Sequence, residues 1–402
     1  MISEMYRKRL SPTLVILMTI FIDLTGFGIV IPLLPFYAAV FQAGSTALGV
    51  LVASFAFMQF IFSPILGSLS DRIGRRPVLL LSILTSVASF ILFSFANSFI
   101  TLLLSRIVAG LATEVSVAQA YISDVTKEKD RVKGLGRVGA AQGAGFIIGP
   151  ALGGFLSTYG FSVAGFVAAA LALINLIFAF FFLPESKKNR ESKELVSGSS
   201  LSGLADALSK PLMSYLLIIV FIMSLAFSAF PVIMPLLAIS LFGLGASDMS
   251  LFFVYFGVVQ IVFQGLIMGK LANRVGEEKL IALGSFLMTM GVLLMALFPN
   301  LAIFFTLTTI VVSGSGILQT SIPSFISKGT VEDERGGVLG VIQSVSSIAR
   351  VPGPLIGGFV YEFAGLVAPF FLSAFFLMFA TVLGIRIATS ASHIRFREYE
   401  GK

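Results

Sequence analysis

The chain has no cysteine, no tryptophan and a single histidine, and only 12% of its 402 residues are charged. Each scarcity excludes something. Without cysteine there is no disulfide, no thiolate nucleophile and no thiolate metal site. The lone His393 sits in the polar C-terminal tail, where solvation is the simple reading; it cannot relay protons inside an apolar run. Tyr and Phe must supply any aromatic belt. No G-x-x-x-x-G-K-[ST] loop and no metal-spaced cluster of His, Cys and carboxylate is present, so neither ATP hydrolysis nor a cofactor is expected. A soluble domain carries about 25% charged residues. Here 57% of residues are hydrophobic and the mean hydropathy is +1.00. The expected class is an all-α integral membrane protein.

A helical span needs about 20 apolar residues. Twelve runs qualify: residues 12–40, 47–69, 77–96, 99–123, 134–157, 161–183, 212–240, 249–271, 279–298, 301–326, 336–360 and 365–388. The first exceeds the roughly 7–15 residues of a signal-peptide core and contains Asp23, so it is expected to stay as a span. Of the 27 Lys and Arg, 25 fall at the two termini or in alternate loops, and the intervening loops have none. That asymmetry places both termini in the cytoplasm of a cell membrane. The net charge of +7 records this topology and not a nucleic-acid partner. The polar stretch 184–210 reads as a linker between residues 1–183 and 211–402, two six-helix bundles.

Internal repeats support two pseudo-symmetric halves. Gly149-Pro150-Ala151-Leu152-Gly153-Gly154-Phe155 recurs as Gly353-Pro354-Leu355-Ile356-Gly357-Gly358-Phe359, an offset of 204 (353 − 149). The hinge Gly67-Ser68-Leu69-Ser70-Asp71-Arg72-Ile73-Gly74-Arg75-Arg76 has a weaker copy from Gly269 to Gly276, an offset of 202 (269 − 67). Parallel repeats of this length are expected around a central site. In the first hinge, Gly67 permits close helix approach. Asp71 suits the positive end of another helix. Arg72, Arg75 and Arg76 hold the loop in the cytoplasm.

Four charges fall inside apolar runs. Asp23 lies about 16 Å into the first span and Arg106 about 12 Å into the fourth, at similar depth, which makes them candidate partners. An intramembrane acid is costly to insert and faces a cavity or a partner. It is either a proton site or a permanently paired structural acid. Glu114 lies eight residues beyond Arg106, about 80° around a continuous helix, and binds substrate or protons or forms a structural pair. Arg350, near the middle of the eleventh span, binds an anionic group or neutralises Asp23 or Glu114. Gln260, Gln264 and Gln319 are candidates for lining a polar path, although single amides usually serve as interhelical hydrogen bonds. Gly145, Gly149, Pro150, Gly153 and Gly154 in the fifth span are spaced for close helix packing with a bend.

Together these motifs resemble the twelve-span drug:proton antiporter branch of the major facilitator superfamily, near the tetracycline-efflux type. The matches are the span-one D-x-x-G-x-G-x-x-x-P-x-L-P, the hinge G-x-L-x-D-R-x-G-R-R, R-I-V-A-G in span four, A-Y-I-S-D at its end and G-x-x-x-G-P-x-x-G-G in span five. The resemblance implies that Asp71 docks on the start of span eleven and that Arg75 bridges it to Asp124, a latch on the cytoplasmic side. It implies that Asp23 and Arg106 take part in proton coupling, and that the glycine-proline motif of span five marks an antiporter. Glu114 departs from the small or amide residues of the tetracycline type, which shifts the expectation toward cationic or lipophilic substrates. Asn273 in the second hinge replaces the acid of the first, so a weaker second latch is expected.

The expected function is export of small lipophilic or cationic compounds against protons by alternating access, in a monomer within the lipid bilayer, driven by the proton gradient. The alternatives are an exporter or uniporter of an endogenous metabolite or organic anion, and a receptor that transports nothing. The receptor reading is weakened by the linker of 27 residues (184–210), too short for an output domain, since unaided domains rarely fall below about 40 residues. An enzyme is not expected.

Overall fold

A computed structural model of the protein describes residues 11–112, 114–126, 131–186, 211–298, 300–329 and 335–400. The linker beyond Ser186 and the tail side chains around His393 lie outside the described residues. In chain order the helices are α1 (Pro12–Val30), α2 (Leu34–Val40), α3 (Ser45–Ile73), α4 (Arg75–Ser94), α5 (Phe99–Gly110), α6 (Glu114–Val125), α7 (Arg131–Ser157) and α8 (Phe161–Phe182). There follow α9 (Pro211–Phe242), α10 (Ala246–Val262), α11 (Met268–Val275), α12 (Glu277–Leu297), α13 (Leu301–Gly329), α14 (Arg335–Ala349), α15 (Pro352–Ala364) and α16 (Ala368–Glu400). Helices dominate because hydrocarbon offers backbone N–H and C=O groups no partner, so each span must satisfy its own.

Among the described residues, eleven helices are long and apolar enough to cross a membrane. The eleventh span, the one expected run outside that set, is present but broken, which corrects the expectation of a continuous helix over 336–360. α14 ends at Ala349 and α15 restarts at Pro352. Proline has no N–H and its ring crowds the preceding turn. The chain therefore tightens, with Val351 N–H donating to Ile348 C=O, and Pro352 opens the new helix. The prolines of the first span act similarly: a short 3-10 turn, Ile31–Leu33, separates α1 from α2.

The fourth span is also interrupted, at Leu111 and Ala112, after α5. Leu111 and Ala112 donate to carbonyls three residues back, Val108 and Ala109, and the α-helical pattern stops there. Gly110, just before the break, is pressed on α3: a Cβ there would lie 2.5 Å from Phe55 O and 2.6 Å from Met58 Cβ. As a result Glu114 opens α6 instead of sitting mid-helix.

The contacts divide the chain into two compact units. The first comprises Met1–Leu195 with Gly243–Gly257, and the second Val196–Phe242 with Val258–Lys402. In the first, α1 is the central helix, packed on α7 and α8, with Val15, Ile16 and Ile20 buried among Val78, Leu79, Ile83 and Tyr121. Asn175 of α8 donates to Thr19 C=O at 3.0 Å, which ties the two helices across an apolar core. In the second unit α12 is central, packed on α13 and α16. There Gly284 and Gly314 bring α12 and α13 into backbone contact. A five-residue π segment, Phe263–Ile267, joins α10 to α11.

Alanine in place of Gly110 forces the tight crossing with α3 apart, at a cost of about 1–3 kcal/mol. Gly139→Ala, at a helical position with nothing within 4 Å, leaves stability unchanged or raises it by up to about 1 kcal/mol. Thermal unfolding of the two variants in one detergent measures the contrast.

Candidate functional site

Asp23, Arg106 and Glu114 are the intramembrane charges buried in the first unit, with relative exposures of 8%, 1% and 3%. The pair anticipated from depth, Asp23 with Arg106, is not formed. Depth along two helices was similar, but rotation about their axes sends the side chains apart. The Arg106 guanidinium lies over the Phe93 ring at 5.7 Å, its Nε is 3.5 Å from Ser105 Oγ, and one terminal nitrogen is buried without an acceptor. Asp23 instead lies within electrostatic reach of Glu114, to whose Oε1 Ser86 of α4 donates at 2.8 Å. The break before α6 makes this possible, because it frees Glu114 from the 80° relation to Arg106 that a continuous helix imposes.

The fifth-span motif lies along α1. A Cβ on Gly145 would fall 2.8 Å from Leu24 Cβ, and one on Gly149 would fall 2.5 Å from Thr25 O. Gly153 faces Ile29 O, and Gly28 of α1 faces Pro150 across the seam. Gly154 looks the other way, onto Ser250 of α10, where Ser247 Oγ donates to Gly154 C=O at 3.1 Å. The seam runs on either side of the helix that carries Asp23.

The first hinge forms a charged corner. Arg75 reaches Asp71 at 2.7 Å, Asp124 at 3.0 Å and Ser70 Oγ at 2.6 Å. Gly74 turns the chain at φ 105°, a left-handed value that a side chain would strain. α4 then begins with two arginines, the wrong sign for a helix N-terminus. Glu185, beyond α8, corrects this by accepting the Arg75 N–H at 2.9 Å and the Arg76 N–H at 3.1 Å. Arg76 donates to Phe180 C=O at 2.6 Å, and Ser186 Oγ donates to Asp124 at 3.2 Å. Glu185 was missed from sequence, although two arginines opening a helix signal a missing acid. Arg72 is exposed. One expectation needs correction: Gly67 packs on nothing, since a Cβ there would meet no atom within 4 Å. The glycine that the hinge needs is Gly74.

The second unit builds its corner with the signs exchanged. Gly276 turns at φ 82° and α12 opens with Glu277 and Glu278. Glu277 pairs with Lys328 of α13 and accepts from Ser324 Oγ at 3.0 Å. By the repeat offsets, Glu277 corresponds to Arg75 (277 − 75 = 202) and Lys328 to Asp124 (328 − 124 = 204). The acids sit directly on the helix N-terminus, so no counterpart of Glu185 is required. The side chain of Asn273, from which a weaker latch was expected, lies outside the described residues.

The remaining candidates are in the second unit. Gln264 is exposed within the π segment, Gln260 is half-buried one turn earlier, and Gln319 is exposed on α13. Arg350 is exposed at the break between α14 and α15, and among the described residues no carboxylate lies within 4 Å of it.

Comparison with known proteins agrees with this architecture. The model of the Major Facilitator Superfamily matches residues 16–354 and, separately, 216–401. This chain belongs to that superfamily. It is 29% identical over 373 residues to Multidrug resistance protein 2 of Bacillus subtilis (strain 168), covering 91% of this chain and 92% of the relative. It is 32% identical over 354 residues to the class E tetracycline resistance protein of Escherichia coli, covering 86% and 87%. A solved bacterial homologue of the human lysosomal transporter Spinster, inward-facing and occupied, superposes with a TM-score of 0.80 at 14% identity, covering 94% of this chain and 96% of that one. The protein is therefore a multi-pass membrane protein of the superfamily, with the all-α fold expected from its motifs.

The exchanged corners give this superfamily member a test. Glu277→Lys or Lys328→Glu alone sets like charges together and destabilises the second unit. Made together, the two changes restore the pair with a coupling of about 1 kcal/mol or less, because Lys328 is 69% exposed. Unfolding midpoints of the four proteins in a double-mutant cycle check it.

Proposed function

We propose that this protein exports small lipophilic or cationic compounds across the cell membrane in exchange for protons, both termini lying in the cytoplasm. The observation that carries the reading is the pair of acids Asp23 and Glu114, buried within electrostatic reach of each other in a membrane-spanning unit, with no ion pair to either among the described residues. A buried carboxylate without a counter-ion is costly unless it holds a proton or receives a cation. A proton and a cationic compound therefore compete for one negative site, which is the elementary requirement of antiport. Multidrug and tetracycline resistance proteins among the relatives, aligned over most of their length, support drug-like cargo.

Asp23 and Glu114 are the coupling acids in this reading. The unpaired Arg106, one helix away, supplies a positive field that favours the charged form of whichever acid approaches it. The glycine seam between α1 and α7 is the tight packing that resists proton leak, and the corner at Arg75 is the latch that a conformational change must open. A second reading, an organic-anion exporter or uniporter, is favoured by the exposed Arg350 alone.

The test uses purified protein in liposomes that hold a pH dye. Lipophilic cations, tetracyclines and organic anions are added in turn across an imposed proton gradient. The expected outcome is proton movement driven by the cations or tetracyclines, reduced about 100-fold in Asp23→Asn, the scale of a lost proton-transfer group. Substrate flux without proton movement would falsify exchange, and a response to anions alone would move the site to Arg350.

A further inference from the structure

A polar strip exposed on an otherwise covered membrane helix faces something other than lipid. Between Leu307 and Ser327 of α13 every residue is buried or half-buried except two, Gln319 and Thr320. A strip turned to hydrocarbon would carry apolar side chains, because lipid offers an amide or a hydroxyl no partner. α10 shows the contrast. Its exposed Val258 and Val262 lie on one side. Gln260 and Gln264, each two residues further on, lie about 160° around the helix from them.

That second side meets α13. A Cβ on Gly316 would lie 3.4 Å from Gln264 Cγ and 3.6 Å from its Nε2, so the amide rests on the α13 backbone where a glycine makes room. Gln319 follows Gly316 by three residues, on the same side of the helix. The depths agree as well. Gln264 stands eight residues (272 − 264) before the end of its span at Ala272, and Gln319 nine (328 − 319) before Lys328, about 12 and 14 Å. Gln264 belongs to the π segment, in which Met268 N–H donates to Phe263 C=O five residues back and no residue is buried. Such wide turns are rare and occur frequently at functional sites.

The chemistry of this face is neutral. No charged residue lies between Asp248 and Lys270 or between Leu301 and Ser327. Among the described residues neither Gln264 nor Gln319 has a hydrogen-bond partner. Thr320 Oγ1 donates to Gly316 C=O at 2.9 Å, which leaves its lone pairs to accept.

We propose that Gln264, Gln319 and Thr320 form a hydrogen-bonding subsite in the second unit for a neutral polar group of the cargo, one that both donates and accepts, such as a carboxamide or a hydroxyl beside a carbonyl. This rests on the export reading above and deepens it. The acids of the first unit respond to charge, and this face responds to the pattern of donors and acceptors. Each amide offers two donors and one acceptor oxygen. A cation without hydrogen-bonding groups gains nothing from them.

Equilibrium binding to the purified protein in detergent tests this with two probes. Tetracycline carries a carboxamide, carbonyls and hydroxyls; tetraphenylphosphonium is a lipophilic cation with no hydrogen-bonding group. Gln264→Leu and Gln319→Leu are each expected to weaken tetracycline binding about fivefold, the scale of one neutral hydrogen bond, and to leave tetraphenylphosphonium as in the wild type. Thr306→Val, at an exposed position of α13 about 20 Å from Gln319, changes neither. Where a leucine variant does not fold, methionine, unbranched like glutamine, gives the same comparison. Tetracycline affinity unchanged in both glutamine variants overturns the proposal, as does an equal loss for both probes or the absence of tetracycline binding to the wild type. The liposome assay separates this from the export reading. Glutamine-dependent tetracycline binding with no drug-driven proton movement keeps the subsite and sinks exchange. Drug-driven proton movement with a tetracycline affinity that neither glutamine affects sinks the subsite and keeps exchange.

Discussion

An unpaired charge inside an apolar bundle must find a partner, hold a proton or raise the energy of the fold, and this constraint shapes both units. Hydrocarbon cannot solvate the carboxylates of Asp23 and Glu114, and Glu114 takes the hydroxyl of Ser86 from a neighbouring helix. Arg106 is treated differently: its plane is laid on Phe93, where the ring face offers partial compensation, and one nitrogen is left bare. Acid and base are both buried without being joined in an ion pair.

Close packing of α1 against α7 is the companion constraint. Glycines at 145, 149 and 153 let the backbones touch, so the helix that carries Asp23 has little freedom to tilt. Its rotation about its own axis, and hence the direction of the carboxylate, is set by that seam.

The corners at Arg75 and Glu277 show how a repeat can keep a geometry while exchanging its charges. Both place a left-handed glycine before a helix start and an ion pair from that start to the end of the following span. Acids at a helix N-terminus are favoured by the backbone dipole and arginines are not. The second unit therefore closes its corner with its own residues, and the first recruits Glu185 from beyond α8. Spacing does not display the exchange, because the glycines set the register of the repeat while the charges after Gly74 and Gly276 meet Asp124 and Lys328 only through the packing of the following span.

The order, number and class of the spans followed from composition alone, because a run of about 20 apolar residues has few alternatives to a membrane helix. The repeats, the glycine seam and the Arg75–Asp124 bridge were legible too, the last through the resemblance of its motif. The depth of Asp23, Arg106 and Glu114 could be counted at 1.5 Å per residue. Their partnership could not. It depends on rotation about helix axes and on a break at Leu111 and Ala112, which short-range tightening creates locally and no hydropathy window registers. Ser86 carries no signal of its own, since serines are common in α4 and two others, Ser89 and Ser94, donate to their own helix. Only the packing of α4 and α6 singles it out, because a side chain's hydrogen-bond partner is decided by which helices touch and at what angle.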